Sequence, residues 1–162
     1  MKTLSAKRFR ALLVLALPVL LGIGPCSAGP GWLERMPGGV LNGEVVTAPV
    51  ADWSFAQEAG LCQLEVRPSF PHSVTLNCFA LNGQLYIGCM ACEGKMWSTY
   101  VGSDPSARVR ISGKVYAVTL NRISHPDEMW VPWLSRWQKL RGNSDAPEIP
   151  AGYWLYHVTS RT

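Results

Sequence analysis

The chain has 162 residues, 48% of them hydrophobic, and its 15 Lys+Arg against 11 Asp+Glu give a formal charge of +4. Lys2, Lys7, Arg8 and Arg10 all precede residue 11, and without them 11 basic residues face 11 acidic ones, so the usual argument from a basic chain to nucleic acid fails. No repeat at a fixed period and no low-complexity tract suggests a fibrous or solenoid protein.

The four basic residues are followed by an apolar or small run from Ala11 to Ile23, the pattern of a secretory signal. These thirteen residues, Pro18 among them, fall short of the roughly 20 that a transmembrane helix needs. Cys26-Ser27-Ala28 supplies small residues for cleavage after Ala28. Retention as an anchor is the other reading, and Pro25 argues against lipidation of Cys26. Residues 1–28 are thus expected to be a signal peptide, 29–51 an irregular Gly- and Pro-rich lead-in, and 52–162 a single domain. The expected location is periplasmic or secreted, with no membrane contact beyond the signal. Export puts Cys62, Cys78, Cys89 and Cys92 where disulfides persist.

Asp52 precedes WSFAQEAG, a short helical stretch with an N-cap residue at its head and Gly60 at its end. In LCQLEVR, Cys62, Leu64 and Val66 alternate with Gln63, Glu65 and Arg67. In SVTLNCF, Val74, Leu76 and Cys78 alternate with Ser73, Thr75, Asn77 and Phe79. Pairing the two with Val66 opposite Val74 sets Leu64 against Leu76 and Cys62 against Cys78. Asn82-Gly83 is a strong hairpin signal, because a type I′ turn needs positive φ at both central residues. It pairs Leu81 with Gln84, Cys78 with Ile87 and Leu76 with Cys89. The face carrying Ser73, Thr75 and Asn77 is polar and open to a ligand or partner.

EGKMWSTYV then fits a helix stopped by Ser103-Asp104-Pro105, and ARVRI and KVYAVTLNRI form a hairpin around Ser112-Gly113. In HPDEMWVPWLSRWQKLRG, Trp130, Trp133, Leu134 and Trp137 recur at helical spacing, a packing stripe, and Pro132 is expected to open a second helical segment. GYWLYHVTS closes the chain as a strand. At least five strands, short hairpins and two or three helices predict a mainly β, α+β protein: a small β-barrel with helices against it.

Cys89-Met90-Ala91-Cys92 admits four readings. Glu93 stands where a c-type haem site needs His, and Cys62 and Cys78 lack the paired spacing of a zinc site, so no metal is assigned. A thiol–disulfide oxidoreductase using Cys89 and Cys92 would suit the strand-to-helix junction, although the βαβ unit of that fold is missing. Structural disulfides are the fourth reading, Cys62–Cys78 being favoured by the strand register, with Cys89–Cys92 as the remainder. His72, His125 and His157 are isolated, and no side chain is assigned a catalytic role.

The run PHSVTLNCFALNGQLYIG followed by GKMWSTYVGSDPSARVRISGKVYAVTLNRI resembles the pyridoxamine 5′-phosphate oxidase-like family of FMN-binding split β-barrels. The likeness spans roughly residues 52 to 124, with YWLYHV as the closing strand. It implies a homodimeric split barrel with FMN, or alternatively deazaflavin or haem, between subunits, and, as an activity, a flavin-dependent oxidoreductase. By position it implies that Ser73, Thr75 and Asn77 lie along the ring system, that Lys95 meets a phosphate, and that Trp97 stacks on the ring or closes the cleft. A cofactor-free or haem-binding module for a small molecule is the alternative from another class.

Overall fold

Period-two patterning becomes strand almost everywhere it was expected. A computed structural model of the protein describes residues 38–161, so the expected signal segment lies outside the described residues. The elements are β1 (Glu44–Val46), a 3-10 helix (Ser54–Gln57), β2 (Cys62–Val66), β3 (His72–Leu76), β4 (Cys78–Leu81), β5 (Gln84–Cys89), α1 (Met96–Ser103), β6 (Ser106–Ile111), β7 (Lys114–Ile123), α2 (Pro126–Arg141) and β8 (Trp154–Ser160). The lead-in thus contributes one short strand, and its Leu41 is buried.

The strands join in the order β3-β2-β6-β7-β8-β5-β4. The two ends of that order, β3 and β4, are consecutive in the chain and meet at Asn77, so the sheet must curl. The expected continuous strand over 73–79 is therefore broken at Asn77. β7 serves two partners along one edge: Lys114–Tyr116 pair in parallel with β1, and Val118–Ile123 pair antiparallel with β8. The sheet splits there, and the result is a split β-barrel with α1 and α2 packed against it.

Cys62, Leu64, Val66, Cys78, Leu85, Ile87, Val109 and Val118 fill the interior and are all buried. Each fully buried aliphatic side chain contributes about 1.5–3 kcal/mol. A second cluster, Phe79, Trp133, Tyr153 and Leu155, lies outside the barrel beneath α2. Lys139, in the last turn of that helix, fixes it by donating to the carbonyls of Ala56 and Cys78, both at 2.7 Å.

The turns behave as their residues dictate. Asn82 and Gly83 have φ of 50° and 74°, as the type I′ turn requires, and the β4–β5 register is the expected one for Leu81 with Gln84 and Cys78 with Ile87. The expected Leu76–Cys89 pair does not form, because the strand breaks at Asn77, leaving Leu76 opposite Cys62 and Cys89 opposite Trp154. The β2–β3 hairpin is tighter than expected: Val66 faces His72, Leu64 faces Val74 and Cys62 faces Leu76. Its turn closes early because Arg67 takes a φ of 55° and its carbonyl accepts the Phe70 N–H at 2.9 Å. A shift of two residues keeps every side chain on its expected face.

α2 is one helix through Pro132, not two. Proline removes only the bond to the Glu128 carbonyl, and Glu128 is exposed, so water can take that acceptor. The helix buries Pro132, Trp133 and Arg136 while Trp130 is 41% exposed, so the buried stripe is rotated from the expected one. Asp127 and Glu128 in its first turn, Lys139 and Arg141 in its last, and Gly142 at φ 73° complete the ends.

Candidate functional site

Where β3 gives way to β4, the end of β5 and the start of α1 enclose a cavity of about 230 Å³. Its lining is Val74, Thr75, Leu76, Asn77, Gly88, Cys89, Met90, Lys95, Trp97 and Arg136. Four of the five residues expected to hold a cofactor, Thr75, Asn77, Lys95 and Trp97, therefore share one cavity. Asn77 reaches it because the break between strands turns its half-buried side chain there. Lys95 is the exposed residue capping α1, and its Nζ donates to the Met90 carbonyl at 2.8 Å, which holds the ammonium at the rim.

Ser73, the fifth, is elsewhere. Residues 38–42 cover the polar face of β2 and β3, and Ser73 exchanges backbone hydrogen bonds with Gly38 at 2.7 and 2.8 Å. Its hydroxyl is buried beneath that contact and does not line the cavity. The same cover places Leu41 N–H on Glu65 at 2.6 Å and the Arg110 guanidinium on the Asn42 carbonyl at 3.0 Å. Among the described residues the polar face is therefore covered at Glu65 and Ser73 and half-open at Thr75 and Asn77.

Trp97 is almost wholly buried, with its ring 5.6 Å from that of Tyr156. It forms cavity wall rather than a swinging lid. Ser98 Oγ bonds the carbonyls of Cys92 and Lys95 at 2.7 and 2.8 Å, and Thr99 Oγ1 bonds Lys95 O at 3.2 Å. These hydroxyls brace the loop that carries Lys95.

The cysteines pair as Cys62–Cys78 and Cys89–Cys92, with Cα–Cα distances of 5.9 and 5.4 Å. Cys62–Cys78 fastens β2 to β4 across the curl. Cys89–Cys92 closes the loop after β5, and α1 begins only at Met96. The Glu93-Gly94 turn therefore separates the cysteines from the helix N-terminus that would activate a thiol.

Arg136 is a site residue that the sequence analysis does not single out. It reaches the cavity from α2 and is only 9% exposed. Its Cζ lies 5.4 Å from the Trp133 ring and 5.7 Å from the Tyr153 ring. Neither Arg136 Nε nor Tyr153 Oη has a hydrogen-bond partner among the described residues. Burial holds the guanidinium below its ordinary pKa and pushes the Tyr153 phenol up to about 12. Gly88 makes this possible: a Cβ there would lie 2.8 Å from Arg136 Cδ, 3.0 Å from Nε, and against Tyr153 Oη. The available signal was the place of Arg136 three residues after Trp133, on the stripe that α2 buries.

A wider cleft of about 670 Å³ opens on the other side of α2, with Tyr86, Arg122, His125, Glu128 and His157 among its lining residues. His157 Nε2 is 2.9 Å from Gln84 Oε1, and burial holds its imidazole below the ordinary pKa. Among the described residues no group of three or more His, Cys, Asp or Glu is placed to hold a metal ion, and no helix is long and apolar enough to cross a membrane.

The curled sheet and its strand order make a split β-barrel, a fold that this chain shares with several solved structures. A candidate pyridoxamine 5′-phosphate oxidase from Listeria innocua superposes with a TM-score of 0.51 at 12% identity, over 66% of this chain and 88% of that one. An FAD-binding protein from Mesorhizobium loti gives 0.50 at 13%, over 66% and 85%. The haem storage protein HutZ from Vibrio cholerae gives 0.50 at 11%, over 67% and 86%. No protein-family model matches the chain, and no curated protein matches it in sequence. The likeness establishes the fold.

Proposed function

We propose that the protein is an exported flavin-binding split barrel of the pyridoxamine 5′-phosphate oxidase-like family, with FMN or deazaflavin at the Asn77–Lys95–Trp97 cavity. The observation that carries this reading is the meeting of Thr75, Asn77, Lys95 and Trp97, named from a family resemblance, around one cavity. The fold is shared with an FAD-binding protein. The donor set fits the group: an amide and a hydroxyl suit a polar ring edge, and Lys95 and Arg136 suit an anionic tail.

Bound flavin supplies two-electron transfer. The chain's own residues would bind and orient it: Thr75 and Asn77 would hold the ring edge, Trp97 would exclude water from one wall, and Lys95 would hold the tail at the rim. At about 230 Å³ the cavity is smaller than the roughly 300–1,000 Å³ usual for such ligands. The remainder of the cofactor therefore needs a second surface, which a homodimer supplies. Two buried disulfides support export to an oxidising compartment. Haem is the weaker reading, because no histidine among the described residues lines this cavity and Cys89 is already paired.

The test is the absorption spectrum of protein isolated from its native compartment, followed by fluorescence titration with FMN. A flavin band, or saturable quenching that Asn77→Ala weakens about tenfold, is expected. A colourless protein that binds neither FMN nor deazaflavin contradicts the assignment, and a Soret band on haem titration would replace it.

A further inference from the structure

We propose that Arg136 is an oxyanion receptor, whose guanidinium on the cavity wall binds the phosphate or carboxylate end of the ligand that enters beside Asn77 and Lys95. The inference deepens the reading of this cavity as a ligand site and rests on it.

Arginine stays protonated in proteins. Arg136 is therefore a cation nine-tenths buried, yet its Nε has no acceptor and no carboxylate lies within ion-pair distance among the described residues. The neighbouring Trp133 and Tyr153 rings offer only their π faces. Such an arrangement is costly unless something compensates it. Tyr153 Oη, also without a partner, stands on the same side of Gly88. Two donors without acceptors thus converge behind a cavity whose rim carries a second cation, Lys95.

That combination selects an anion. A planar guanidinium presents paired N–H groups to two oxygens of one oxyanion, and a phosphate or carboxylate supplies them. Gly88 is the structural condition for it, because any side chain there would displace both Arg136 and Tyr153. A buried water could satisfy Nε but would leave the charge unpaired. A merely packed arginine would bind nothing.

The experiment uses the whole chain, as wild type, R136M and R136K, with thermal unfolding in phosphate, acetate or chloride at equal ionic strength, and with FMN and riboflavin titrations. Phosphate or acetate should raise the wild-type Tm in a concentration-dependent way and leave R136M unmoved, and whichever anion acts identifies the source. Wild type should bind FMN on the order of tenfold to a hundredfold more tightly than riboflavin, a preference lost in R136M and partly kept in R136K. R136K keeps the charge but not the fork, and it carries the test should R136M fail to fold. Anion stabilisation that depends on Arg136, with both flavins inert, supports the receptor and overturns the flavin reading. Equal binding of FMN and riboflavin by all three proteins, or equal anion shifts in wild type and R136M, overturns the receptor and leaves the flavin reading standing.

Discussion

Two arginines of this barrel are held in opposite ways. Arg108, on β6, meets the buried carboxylate of Glu65 through Nε at 2.8 Å and Nη2 at 2.6 Å, and Leu41 N–H donates to the same carboxylate. Arg136, on α2, is more deeply buried and meets no carboxylate among the described residues. The first is a completed structural pair that pins the lead-in to the sheet. The second is an incomplete one, and incompleteness in a buried charge is a sign of something still to be bound.

Removal of a partner separates the two most strongly. Glu65→Gln should cost about 2–3 kcal/mol in urea unfolding, below the roughly 3–5 kcal/mol of a fully buried pair, because the Arg108 side chain keeps 29% exposure. Arg136→Met should instead stabilise the ligand-free protein, by about 1–4 kcal/mol, since it removes an unpaired buried charge and keeps the volume. Equal losses in both variants would erase the distinction.

Gly88→Ala comes next. Its Cβ would meet Arg136 Cδ at 2.8 Å, so a loss of about 1–3 kcal/mol is expected, together with weaker FMN binding as the guanidinium moves. Unchanged stability and affinity would show that Arg136 has room the structure denies it.

The smallest effect is in alkali. Burial raises the Tyr153 phenol from about 10 to about 12, so the unfolded chain loses this proton first. The contribution is complete below pH 10 and is lost as pH rises toward 12. In an ultraviolet titration Tyr153→Phe should delete the last tyrosine to ionise and flatten the stability loss across that window. A profile identical to wild type would place the late proton elsewhere.

Much of this was legible in the sequence. Alternation fixed which side chains of β2, β3 and β6 point inward, because period two depends only on the pleat. Asn82-Gly83 fixed a register because its φ values leave no choice. The β2–β3 register slipped because nothing in Arg67-Pro68-Ser69-Phe70 announces a positive φ at arginine. Ser73 was misjudged as open because the face of a strand does not reveal which later or earlier segment will cover it. Arg136 was missed because a charged residue on an amphipathic helix reads as solvated, and only the packing of Trp133 and Tyr153 shows that α2 turns it inward.

The most direct measurement of the central claim is the ¹H–¹⁵N signal of the Arg136 Nε during titration of the intact protein with FMN and, separately, riboflavin. A protected signal that shifts saturably with FMN and stays still with riboflavin is expected. A signal that remains fast-exchanging and unshifted at saturating FMN would contradict it.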